Sequence, residues 1–168
     1  VGAALRMLPL MLAAVTGAPV AHVDRLLDHA VSARLVTAEE QGRFAFAHDL
    51  VRETLYGALD DGERARRHAA VVHAADRIPE IAVHVLPADL ARHAHLAGEH
   101  VAAERAVAHL VAAAQHADMR LALDESFGHY RRALERAADV GPAKQAVIAV
   151  ELGRGLHHRG DHEGARRY

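Results

Sequence analysis

Between Leu35 and Ala47 the apolar spacing of this chain switches from the helical period to two, and on both sides of that stretch the helical period returns. Leu35-Val36-Thr37 and Phe44-Ala45-Phe46 flank the polar run Glu39-Glu40-Gln41-Gly42, the pattern of a short hairpin. Two strands with no second sheet cannot bury an apolar face by themselves, so a chain of 168 residues with one such hairpin has to build its core from helices. Composition agrees. Hydrophobic residues make up 51% of the chain but aromatics only 4%, with no Trp, and alanine supplies much of the difference. Small side chains of high helix propensity suit closely packed helices. The expected fold class is mainly α.

Residues 9 to 16 read as a short helix that breaks at Gly17-Ala18-Pro19. Val20, Val23, Leu26, Leu27, Ala30 and Val31 then recur at helical spacing, and Leu35 closes that stripe. Helix, turn, helix and a two-stranded wing is the order of a winged helix, here lacking its first helix. Its absence, and a start at Val1 rather than Met, give the expectation of a piece of a longer protein. Arg6 and the apolar run after it imitate a signal peptide, but that run is short and holds Pro9. Asp49 is placed to cap the next helix, which runs to about Leu59 and buries Leu50, Val51, Leu55 and Leu59. Another helix starts near Asp61, turns Ala65, Ala69 and Val72 inward, and fades by Arg77. The prolines at 79 and 87 bound a stretch without a helical stripe, read as linker.

Beyond the linker, helices are expected at about 88 to 97, 99 to 121, 123 to 138, 143 to 158 and from 161 onward, punctuated by Gly98, Gly141-Pro142 and Gly160. Ala91, Gly98 and Ala103 are spaced seven and five apart, and Gly153, Gly160 and Ala165 repeat that spacing. Ala114 and Ser126, twelve apart, are followed by Tyr130 and Ala133. Small residues at such points let one helix of a hairpin approach the next, the logic of tetratricopeptide-like repeats, here at irregular intervals. The expected organisation is a winged-helix domain at 1–59, a connecting helix and linker at 60–87, and helical repeats at 88–168 whose last hairpin is incomplete.

The run Phe44-Ala45-Phe46-Ala47-His48-Asp49-Leu50-Val51-Arg52-Glu53-Thr54-Leu55-Tyr56, followed by Arg64-Ala65-Arg66-Arg67-His68, resembles signal-transduction ATPases with numerous domains, above all the large bacterial LuxR-type regulators. The likeness extends through Leu90-Ala91-Arg92-His93-Ala94 and Tyr130-Arg131-Arg132-Ala133-Leu134. It implies a nucleotide-binding domain upstream, a winged helix that restrains it, and helical repeats that sense a protein or small-molecule inducer in cytoplasmic transcriptional regulation. Neither the ATPase core nor a terminal DNA-binding domain of that pattern is present in these 168 residues. Ala47-His48-Asp49-Leu50 is also similar to the Met-His-Asp-Leu motif of plant immune receptors, with Ala47 in place of the methionine. That similarity implies that His48 reaches the diphosphate of ADP held by the upstream domain, while Asp49 fixes the helix start. The alternative is a repeat scaffold for protein–protein interaction with no nucleotide linkage, in which His48 packs against the wing.

Residue scarcities narrow the chemistry further. Zero Cys excludes disulfides, thiolate metal sites and a cysteine nucleophile. Lys144, the only lysine, is followed by Gln145 and has no phosphate-binding loop around it, so no nucleotide hydrolysis by this chain alone is expected. Ser32 and Ser126, the only serines, stand in no Ser-His-Asp setting, and no catalytic residue is assigned. Among fifteen histidines, His93 and His95 are two apart and diverge on a helix. His158 and His162 have ligand spacing but straddle the turn at Gly160, so no metal site is expected. The formal charge is -2, and the helix from Val20 to Arg34 sets Asp24 and Asp28 against Arg25 and Arg34. Direct DNA binding, which wants excess positive charge, is not expected. Arg64, Arg66 and Arg67 lie beside Asp61 and Glu63 and read as a solvated face. No run approaches the ~20 apolar residues of a membrane span.

Overall fold

A computed structural model describes residues 9–40 and 43–168 of the chain. The apolar run before Pro9 and the Gln41-Gly42 end of the hairpin loop lie outside the described residues. The structure is mainly helical with one small antiparallel sheet, and it divides into two compact units, one ending at His84 and the other beginning at Val85.

In the first unit, α1 (Pro9–Thr16) and α2 (Val20–Ser32) meet at the expected break. Gly17 has φ +72, and Pro19 stands immediately before α2. Val23 and Leu27 of α2 pack on Ala13, with Phe44 of the hairpin against them. Strands β1 (Val36–Glu39) and β2 (Arg43–Phe46) pair antiparallel, Val36 opposite Phe46 and Glu39 opposite Arg43. Val36 and Ala45, on opposite faces of this ribbon, are both buried. After β2 come α3 (Asp49–Gly57) and α4 (Asp61–Arg77).

Helix α4, expected as a connector, packs on α1 and belongs to this unit. The reason is the width of its apolar stripe: Ala69, Val72, Ala74 and Ala75 are all buried. Its N-terminus is capped by Asp60, whose carboxylate accepts the Glu63 amide at 2.7 Å. The stretch read as linker is not featureless. A single helical turn, α5 (Pro79–Ala82), starts at a proline whose missing amide costs nothing there, and Ile81 is fully buried. One apolar residue in a short turn is too little for a periodic signal.

Helix α3 departs further from expectation, because none of its residues is buried. Leu50 is 72% exposed and Leu55 55%. The helix is held at its ends instead, by the strand that leads into it and by Tyr56 near its last turn, which bonds to α4.

The second unit runs through α6 (Pro87–Leu96), α7 (Ala103–Met119), α8 (Leu123–Arg136), α9 (Pro142–His158) and α10 (His162–Ala165), each packed on the next. The helix expected from 99 to 121 begins later. Gly98, at φ +56, turns the chain into one 3₁₀ turn (Gly98–His100), and extended Val101, itself buried, separates that turn from α7. Arg136 clasps this corner by donating to the carbonyls of Gly98 at 3.3 Å and Val101 at 3.2 Å. The core joins Val107, Leu110, Phe127, Ile148, Leu152 and Leu156. Of the small residues singled out by spacing, Ala91, Ala114, Ser126 and Ala133 are fully buried, with Tyr130 beside them, whereas Ala103, Gly153 and Ala165 are half-buried and Gly98 and Gly160 are exposed. A Cβ on Gly153 would lie 3.4 Å from the Ala165 carbonyl, so α9 and α10 do meet closely there.

No single helix among the described residues is long and apolar enough to cross a membrane. Among the described residues, one helix pair, α1 with α2, reaches that length and composition together, and it is bent by 116°.

Candidate functional site

The residues that carry the family resemblance fall at the corner between β2, α3 and α4. His48 has extended backbone, φ -140 and ψ 138, and is itself the N-cap of α3. Its carbonyl accepts the Val51 amide at 3.1 Å, while its imidazole makes no capping bond and stands exposed. Asp49 is therefore not the cap. It is the first helical residue, one position too late for its carboxylate to fold back onto the free amides. The carboxylate pairs instead with Arg52 at 3.5 Å and places a negative charge in the first turn, where the helix dipole favours it.

At the other end of α3 the motif residues come together. The Tyr56 hydroxyl lies 3.0 Å from Nε2 of His68, which is buried on α4, and the two rings meet edge to face. Arg64 lies over the Tyr56 ring at 5.3 Å and pairs with Asp61. That hydrogen-bonded pairing holds the guanidinium proton more tightly than in an isolated arginine. Tyr56, Arg64 and His68 thus form one cluster that fixes α3 on α4. The arginines at 64, 66 and 67 do not act as one patch, since Arg64 turns back onto Tyr56 and Asp61.

No family model, curated protein or solved structure matches the chain. The resemblance to multidomain regulators thus rests on the sequence motifs alone.

Three histidines, His68, His93 and His129, are buried. Nε2 of His129 faces Glu125 at 3.8 Å on α8, and burial, with Arg132 nearby, pushes its imidazole below the ordinary histidine value. Ser126 lies one turn away, but its Oγ and His129 Nδ1 are both buried without a hydrogen-bond partner. A serine nucleophile is activated by a hydrogen bond to its base, and that bond is not made here. Tyr130, on the same helix, donates to Asp118 at 3.5 Å, and burial next to that carboxylate raises its phenol above the ordinary value.

At the end of α9 the sequence pairs His158 with His162 by spacing, but His157 is the residue that meets His162, Nδ1 to Nδ1 at 3.1 Å. His157-His158 with His162 is the cluster the sequence offers, and a turn, not a helical interval, decides that His157 is the partner. Among the described residues no group of three or more His, Asp or Glu side chains converges as metal ligands.

Proposed function

We propose that this chain is a regulatory interaction segment of a multidomain signal-transduction ATPase of the LuxR-type class. Its winged-helix-like first unit restrains an upstream nucleotide-binding domain, and its tetratricopeptide-like second unit receives a protein or small-molecule inducer. The observation that carries this reading is α3. It is an apolar-rich helix whose Leu50 and Leu55 lie outside any core, and it is braced by Tyr56 on α4. At its N-terminus stands an exposed imidazole, His48, next to backbone amides that favour a phosphate. A neighbouring domain would cover the leucines, and His48 would donate to the diphosphate of its bound ADP. ATP and ADP belong to that domain, and this chain supplies only the contact.

The rival reading, a helical scaffold without nucleotide linkage, is favoured by the second unit, which stacks around a core of its own. Two measurements separate them. The sequence encoded upstream of Val1 must contain a phosphate-binding loop, and its absence would leave the scaffold. In the longer protein, His48→Leu removes a charge-assisted bond of roughly 1.5–3 kcal/mol, enough to shift a two-state switch about ten- to a hundredfold toward its active form. ADP retention and basal output equal to those of the wild type, in a variant that folds, would reject the sensor role.

A further inference from the structure

The link between α9 and α10 is a tightly specified turn. Gly160 sits at φ +83 and donates to the His157 carbonyl at 2.9 Å, while the Asp161 amide donates to the Leu156 carbonyl at 3.0 Å. Those two bonds are the Schellman arrangement, which needs a residue free of Cβ strain at the left-handed position. Asp161 then caps the next turn by accepting the Gly164 amide at 2.8 Å. This backbone folds His162 back over the last turn of α9, where its ring centre lies 4.8 Å from that of His157. Both rings are exposed.

We propose that His157 and His162 form a two-histidine chelate for a divalent late transition-metal ion, binding through Nδ1 of each ring and clasping α10 to α9. The geometry is close to what an ion requires. With metal–nitrogen bonds of about 2.0–2.1 Å, the 3.1 Å separation subtends roughly 95–100° at the metal. That suits adjacent positions of an octahedron and is a few tenths of an ångström short of a tetrahedral pair. In the metal-free contact one Nδ1 donates its proton to the other. On binding, that ring takes the Nε2–H tautomer through solvent, so both lone pairs face the ion and no net proton is lost.

The surroundings leave room for a cation. The pair lies at the C-terminal, negative end of a 17-residue helix. Arg159 is drawn away to Asp124 and over the Phe127 ring, and Arg167 is held by Glu163 at 3.0 Å. Water completes the coordination, because no third ligand converges among the described residues. The site is therefore an open, exchangeable one with the order Cu²⁺ above Ni²⁺ and Zn²⁺.

The test is calorimetric titration of the purified chain with Ni²⁺ and with Zn²⁺ in a non-coordinating buffer. One equivalent should bind at least tenfold more tightly than any further histidine sites. His157→Ala and His162→Ala should each lose that equivalent, whereas His158→Ala, whose ring lies 6.3 Å from His157, should keep it. Zn²⁺ should also slow amide hydrogen exchange across α10 in the wild type and not in His162→Ala. All three substitutions are at exposed positions, and circular dichroism checks the fold. Absence of a tighter equivalent, its survival in both the His157 and His162 variants, or its loss in His158→Ala would overturn the proposal.

Discussion

Gly155 lies where α9 crosses Phe127 of α8, and substituting it by alanine sets two opposing effects against each other. An alanine Cβ there would stand 2.8 Å from Cε1 of Phe127 and 3.6 Å from Cζ. Carbon atoms rest at about 3.5–4.0 Å, so the first contact is too short by roughly 0.7 Å or more. The ring cannot swing aside cheaply. Phe127 is 2% exposed, and the Arg159 guanidinium lies 4.7 Å from its centroid. Overpacking of this kind costs about 1–3 kcal/mol, while Gly to Ala in a helix interior recovers roughly 0.8–1 kcal/mol. We expect Gly155→Ala to lose up to about 2 kcal/mol net, read as a lower urea midpoint at unchanged slope. Gly128→Ala on α8 is the control, because nothing stands within 4 Å of its Cβ position. There only the backbone gain remains, and stability should rise by about 0.5–1 kcal/mol. If Gly155→Ala is as stable as wild type or more so, α8 and α9 do not approach this closely and the reasoning fails.

The brace between α3 and α4 should be measurable in isolation. Tyr56→Phe keeps the ring and removes only the hydroxyl 3.0 Å from His68, and should cost about 1 kcal/mol; an unchanged urea midpoint would show that this bond does not hold α3. A second expectation concerns pH. Burial and Arg132 lower the imidazole of His129 while Glu125 opposes them, so the folded protein holds fewer protons than the unfolded chain as pH falls below about 6.5. Stability is lost through that window, down to the lowered value, and is retained above it. His129→Gln should flatten the acid limb of the stability curve relative to wild type, and parallel curves for the two proteins would exclude the role.

Where the sequence was legible, a local signal coincided with a local cause. The hairpin appears because residue alternation and strand geometry share a period of two, although burial does not follow one face: Val36 and Ala45 are both buried and lie on opposite faces of the ribbon. Breaks at Gly17 and Gly160 were readable because each residue takes a left-handed backbone that side chains disfavour. The small residues Ala91, Ala114, Ser126 and Ala133 could be picked out because close helix contacts leave no room for longer side chains. Periodicity failed at α3 for the complementary reason. It reports that a helix has apolar residues but not what covers them, and Leu50 and Leu55 are left exposed. At α5 it failed because Ile81 alone, in a single turn, has no period.

The site residues divide along the same line. Tyr56, Arg64 and His68 could be named together as a motif, yet only the turn between α3 and α4 brings the hydroxyl to the imidazole. Asp49 was misplaced by one residue, since a capping side chain and a first-turn carboxylate look alike in a sequence and differ only in the backbone angles of the preceding histidine. That displacement matters chemically. With an aspartate at the cap, the free amides of α3 would be occupied by its carboxylate. With His48 there and Asp49 drawn to Arg52, no capping side chain occupies those amides, although that of Val51 donates to the His48 carbonyl. A phosphate arriving at this corner, as the proposed function requires, would have to overcome the first-turn charge of Asp49.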